Sequence, residues 1–364
     1  MVRSYIKRTG SEYLLELSEN ISVWEHLKNA QKPIVLYGMG NGADKILDVC
    51  TDKNIKVAGI FASDDFCRNH MFRGYPVTNY AQAKNYFGNM IVLVAFGTGR
   101  PEVIRNIERI AGEQELYAPD VPLMGAELFD LKYFHENREK LEQVFEFLED
   151  NLSQKTFICG LDYKISGKIK YLKDCEIPTA EAFRDILAPH GGEVYFDGGA
   201  YTGDTVLEFV QSVKGYRKII AVEPDIKNYR RLVGNTQGMK SIECLHLGLH
   251  SAKDEIPFAS RAGRNSSFDE GGSVTVAADS IDNILGGSEA TLIKLDVEGQ
   301  EAEALLGAEK TIARYKPKII AAAYHRSRDL FAIPLLVKKI RPDYRVYIRH
   351  FPGIPAWDTF YYFV

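Results

Sequence analysis

The sequence predicts an α/β protein built from two parallel-sheet domains, and three observations predict it. Short apolar runs alternate with helix-like segments twice, once before about residue 120 and again after about residue 190. In each block one apolar run ends in a glycine-rich turn that enters an amphipathic segment: IVLYGMGNGADKIL in the first, EVYFDGGAYTGDTVLEFV in the second. The chain then closes with YRVYIRHF and DTFYYFV, which read as an antiparallel strand pair at the edge of the second sheet.

A length of 364 residues suits two domains. The expected boundaries are 1–125 for the first domain, 126–190 for a helical linker and 191–364 for the second domain. Within the linker, Leu141, Val144, Phe145, Leu148 and Leu152 recur at the spacing of a helix with one buried stripe. Apolar residues make up 45% and charged residues 26%, which excludes a disordered or fibrous chain. Lysine and arginine total 45 against 49 aspartates and glutamates, so no basic field exists to gather nucleic-acid phosphates. Runs such as Ile91 to Phe96 and Ile319 to Tyr324 are too short to span a membrane, and the charged start lacks a secretory apolar core. A cytoplasmic protein is expected. The five cysteines form no CxxC pair and the eight histidines no HExxH, so neither a disulfide framework nor a structural metal is expected.

In the first block Gly38, Gly40 and Ala43 satisfy G-x-G-x-x-A. This spacing lets a helix begin close beneath a strand end and turn its N–H groups toward a phosphate. Asp64 and Asp65 follow the next strand at the distance where a dinucleotide fold keeps an acid for a ribose hydroxyl. A low-priority second nucleotide site is therefore assigned to Gly38, Gly40 and Asp64, with Arg100 after VAFGTG as a further phosphate partner. The same glycines equally serve to pack a helix on a strand. The order GIFASDD, RGYPV, VAFGTGR, from Lys32 to about Ile110, resembles the nucleotide-sugar-binding Rossmann-like domain at the front of bacterial sugar acetyltransferases.

In the second block a strand ends in Asp197 before the turn of Gly198, Gly199 and Gly203, and KIIAVEP delivers Glu223 to the same sheet edge. That acid is placed to accept hydrogen bonds from the two hydroxyls of a ribose. Asp197 and Asp204 give the turn negative charge and no lysine or arginine balances them, so a pyrophosphate is disfavoured and a cationic sulfonium cofactor suits it better than NAD. TLIKLDVEG places Lys294, Asp296 and Glu298 on one side of an extended segment by two-residue alternation. KPKIIAAAYH brings His325 to the same edge, and Gly, Ser and Arg between Phe258 and Ser273 suggest a loop or hairpin whose Arg261 and Arg264 meet an acidic group or stay solvated. Trp357 and the terminal tyrosines are read as core.

FDGGAYTGDT, AVEPD, SIDNIL, KLDVEGQEAEALLGA and YHRSRDLF, in this order over residues 190 to 364, resemble the FkbM family of S-adenosylmethionine-dependent methyltransferases. LSQKTFICGLDYKISGKIKYL resembles the segment that precedes the catalytic domain in a two-domain branch of that family. The resemblance implies a class I methyltransferase sheet and S-adenosylmethionine as cofactor. It implies a methionine-end cradle of Asp197, Gly199, Tyr201, Thr202, Gly203 and Asp204, with Glu223 as the ribose acid and Glu298 beside it. It matches Lys294, Asp296, Glu298 and Glu301 without assigning their roles, and makes Asp282 architectural.

The expected reaction is O-methylation of a hydroxyl on a sugar, glycan intermediate or secondary metabolite, with a nucleotide-linked sugar among the acceptors. His325 leads as the base because an imidazole near its ordinary pKa accepts a proton at neutral pH. Asp296 is the alternative, as base or as ligand to a divalent cation, with Lys294 beside it. Two competing readings are an NAD-linked oxidoreductase centred on the Gly38 turn and a non-catalytic nucleotide- or metabolite-binding protein. Acceptor identity and oligomeric state are not written in the sequence.

Overall fold

A computed structural model describes residues 6–9, 12–63, 67, 71–259, 267–268 and 274–364. Asp64, Asp65, Arg261 and Arg264 fall outside the described residues. Two α/β sheets dominate the fold. The first has six strands in the order Met71–Phe72, Tyr75–Asn79, Val57–Ala62, Ile34–Tyr37, Ile91–Val94, Glu115–Tyr117. All neighbours pair parallel except the first two. Ile34–Tyr37 and Ile91–Val94 are buried along their whole length, as central strands covered by helices on both faces must be.

The second sheet has seven strands in the order Ile242–Leu245, Lys218–Val222, Val194–Gly198, Leu292–Leu295, Lys318–Ala322, Thr359–Phe363, Val346–His350. Thr359–Phe363 runs antiparallel to both neighbours and the other pairs are parallel. Two parallel-type α/β sheets, the second closed by an antiparallel pair, are the fold class the sequence predicts. A smaller four-stranded sheet contains Gly248–Leu249, Val274–Asp279, Asp254–Ala259 and Ser267–Phe268.

Helices within residues 131–187 lie between the two sheets in sequence. The longest, Asn151–Ser166, is capped by Asp150, whose carboxylate accepts from Ser153 N at 2.7 Å. This helix is buried nearly all round, because it belongs to two cores at once. Phe157, Ile158, Leu161 and Ile165 join the core under the second sheet, whereas Cys159 and Tyr163 join one under the first. At its far end Lys164 forms a buried ion pair with Asp120, 3.0 Å apart, in the segment that leaves the first sheet. Tyr163 donates to Ala118 O in that same segment.

A second link joins the molecule's halves. The connection between Val346–His350 and Thr359–Phe363 reaches the loop after Ile91–Val94, where Thr98 N and O exchange hydrogen bonds with Ile354 at 2.8 and 3.0 Å. Trp357 lies on Gly97 so closely that a Cβ there would come within 2.0 Å of its ring. Among the described residues no helix is long and apolar enough to cross a membrane.

Candidate active site

Parallel sheets leave crevices at the carboxyl ends of their strands, and here those of both sheets open into one cavity of about 610 Å³. Gly40, Gly42, Lys45 and the Gly97–Gly99 loop line one wall; Gly199, Tyr201, Asp204 and Glu223 line the other. Asp296, Glu298 and His325 lie between them, and Tyr324, Trp357 and Asp358 complete the lining.

The glycine turn after Val194–Gly198 is held by backbone. Gly199 N and Ala200 N both donate to Val222 O at 3.0 Å. Gly199 has φ +77°, and a Cβ on it would meet Asp296 O at 1.9 Å, so the turn and the end of Leu292–Leu295 touch through the missing side chain. Tyr201 also takes a positive φ, +47°. Its N–H donates to Glu223 Oε2 at 2.9 Å, and Asp225 N donates to Oε1 at the same distance. Glu223 is 6% exposed, and burial lifts its carboxyl to about 7 against the pull of the Asp225 and Tyr201 N–H groups.

Asp197 sits deeper than the sequence suggests. It is fully buried, does not line the cavity, and accepts from Thr205 Oγ1 at 2.5 Å and from Lys294 Nζ at 3.3 Å. It thereby holds the start of the turn's helix and Lys294. Lys294, which the sequence places among the catalytic candidates, lines the cavity. Burial opposes its charge, but Asp197 and Asp296 raise its pKa and keep the ammonium in place. Thr202 and Gly203 also stay out of the lining: Thr202 O accepts from Asn235, and Gly203 abuts Leu232. Asp204 does line the cavity, as first residue of the helix Asp204–Ser212.

The strand Leu292–Leu295 ends before Asp296. The two-residue alternation therefore stops at Lys294, and Glu298, at φ +52°, lies in a turn closed by Glu301, whose Oε1 accepts from Val297 N at 2.9 Å and Gly299 N at 3.4 Å. The turn still aims both acids at the cavity. His325 is 1% exposed, with Nε2 3.4 Å from Glu298 and 3.7 Å from Asp296, and Nδ1 2.9 Å from Glu301. Burial alone disfavours the imidazolium, but Glu301 and Glu298 outweigh it and hold the ring well above the usual histidine range. The expectation of an imidazole near its ordinary pKa is thus corrected: Glu301 and Glu298 favour the protonated ring. Glu298 is raised in turn, by burial, with His325 countering. Asp296 accepts from Tyr324 OH at 2.9 Å.

The segment leaving the first sheet holds this cluster from behind. Met124 N donates to His325 O at 2.9 Å, Ser327 OH to Glu127 O at 2.5 Å, and Lys45 reaches the carbonyls of Pro122 and Leu123. Gly40 lines the cavity while Gly38 packs on Phe96, and Arg100 is exposed, outside the lining and paired with Glu102. Asp282 binds the start of Glu309–Tyr315 through Lys310 N and Thr311. Sequence reasoning missed Tyr324 and placed Trp357 in the core. Both line the cavity, and adjacency of Tyr324 to His325 was the available signal.

The glycine turn, Glu223 three residues before the helix Ile226–Asn235 and the acidic turn at 296–298 thus face one cavity. Residues 197–344 match the family model of the methyltransferase FkbM domain. The FkbM domain match supports methylation with S-adenosylmethionine as donor and spans the wall from Asp197 through the His325 cluster. A solved methyltransferase FkbM from Methylobacillus flagellatus KT shares the fold, with TM-score 0.70 and 21% identity over 92% of this chain and 90% of that one. Aeropyrum pernix fibrillarin with bound S-adenosyl-L-methionine matches 48% of this chain and 67% of its own at TM-score 0.32 and 12% identity. Precorrin-6y C5,15-methyltransferase from Geobacter metallireducens GS-15 matches 49% and 81% at TM-score 0.31 and 11% identity. No curated protein matches the chain significantly.

Proposed function

We propose that the protein is an S-adenosylmethionine-dependent O-methyltransferase whose acceptor is a hydroxyl of a sugar, glycan intermediate or secondary metabolite held between the two sheets. The observation that carries this reading is the single cavity into which both sheets open, with the FkbM-domain turn on one side and the glycine loops of the first sheet on the other.

The residues present fit the donor. Glu223 supplies two acceptor oxygens for a ribose diol, Asp204 and Asp296 supply negative charge for cationic groups, and the Gly199 turn brings backbone to the cavity surface. S-adenosylmethionine, when bound, supplies an electrophilic methyl group on a sulfonium. The chain's own task is to align an acceptor oxygen, exclude water and receive a proton. With His325 held as imidazolium, the proton passes to the carboxylate side of the cluster. Glu298 suits this role, since a carboxyl raised by burial is a stronger base than an ordinary one. Trp357, lying flat on Gly97 in the cavity wall, offers an apolar face for a sugar ring.

Calorimetric titration with S-adenosylmethionine, its demethylated product and NAD tests the reading. Micromolar binding of the first two, lost in Glu223→Ala, is the expected outcome. Binding of NAD with no response to S-adenosylmethionine overturns it.

A further inference from the structure

Glu301 and His325 are sealed from solvent, and each carries a polar atom without a hydrogen-bond partner: Oε2 of Glu301 and Nδ1 of His325. Nδ1 stands 2.9 Å from Glu301 Oε1, close enough for charge attraction but off the line of a hydrogen bond. Oε1 is meanwhile shared between the N–H groups of Val297 and Gly299. Orphaned buried polar atoms are costly and call for an explanation.

The charge count points the same way. Asp296, Glu298, Glu301 and Asp329 surround His325, with Arg326 and Lys294 as the other cations nearby, so acids outnumber bases. Arg326 spends its Nε on Gly299 O and cannot serve the inner carboxylates with that nitrogen. One donor atom from each of Asp296, Glu301 and His325 lies within 4.8 Å of the others. Donors about 2.1 Å from a common octahedral ion stand roughly 3.0 to 4.2 Å apart, so small side-chain rotations close the set.

We propose that Asp296, Glu301 and His325 bind a divalent cation at the floor of the cavity, the ion displacing one ring proton of His325 to solvent. Two carboxylates with one imidazole and no thiolate suit Mn²⁺, Mg²⁺ or Zn²⁺. Asp296 and His325 line the cavity and Glu301 does not, so the ion is closed from behind and open toward the acceptor. There it would bind the acceptor hydroxyl and acidify it. The O–H bond breaks with its proton passing to a Glu298 oxygen, the alkoxide's electron pair forms the bond to the methyl carbon, and the methyl–sulfur bond breaks with its pair going to sulfur, so the donor leaves as the neutral thioether. This catalytic role rests on the methyl-transfer reading; the ion's binding does not.

The test uses the full-length protein, stripped with EDTA and titrated with MnCl₂ alone while the six-line electron paramagnetic resonance signal of free Mn²⁺ is followed. The expected result is removal of one Mn²⁺ per chain from the free signal, with affinity at least tenfold weaker in Asp296→Asn and in His325→Gln. Asp296→Asn is the decisive variant because its side chain is partly exposed, and its near-ultraviolet circular dichroism establishes that it is folded. No binding up to roughly 1 mM, the weak end of the range of protein cation sites, overturns the proposal. Undiminished binding to folded Asp296→Asn overturns it too, since the ion then sits elsewhere. Neither donor nor acceptor is present, so this titration and the S-adenosylmethionine calorimetry fail independently.

Discussion

Glu223 is the residue whose chemistry is most directly exposed to measurement. Both its oxygens accept backbone N–H groups, yet burial lifts its carboxyl to about 7. The ionised form is the one that accepts from two ribose hydroxyls, so donor binding strengthens as pH rises through about 7 and levels off above it. Relative to the plateau, the dissociation constant is expected to be about tenfold weaker at pH 6, one unit below the pKa. Calorimetry from pH 6 to 8 reads this directly, and a flat profile in the wild type removes Glu223 from ribose recognition. Glu223→Gln, which has nothing to titrate there, should be weak and flat across the range.

At the scale of elements, the ion pair between Lys164 in Asn151–Ser166 and Asp120 in the segment leaving the first sheet ties two structural units together. Lys164→Met strands a buried carboxylate, and an unfolding free energy lower by about 3–5 kcal/mol is expected in urea titration. Adding Asp120→Asn to that variant should recover much of the loss; no recovery would mean that the lysine acts through packing alone. Sequence patterning made the central strands legible, because Ile34–Tyr37 and Val194–Gly198 are unbroken apolar runs ended by glycine turns. It failed at the 296–299 turn, where strand alternation was extended three residues past Leu295 into backbone that Glu298 bends to positive φ. It also failed for His325 and Asp197. Pairing partners that arrive from distant elements, Glu301 and Lys294, decide whether a titratable group is free or held. Trp357 was invisible for a related reason: nothing local distinguishes an aromatic residue in a core from one in a cavity wall formed by a second sheet.

At the scale of the whole molecule, the helix Asn151–Ser166 contributes to the cores beneath both sheets, and the Thr98–Ile354 backbone bridge joins their loops. A single calorimetric unfolding transition is therefore expected, with equal calorimetric and van't Hoff enthalpies. Two resolved transitions would show that the shared helix does not couple the sheets. The same sharing sets the terms for recombination. The matched stretch 197–344 omits the shared helix and the closing strand pair Val346–His350 and Thr359–Phe363, so it is not a portable part. A chimera meant to change acceptor choice by exchanging the first sheet has to inherit or redesign residues 118–187 with it. The seam at which this protein can be cut lies inside neither sheet, and new specificity is more readily grown on the Gly97–Gly99 loop than spliced in.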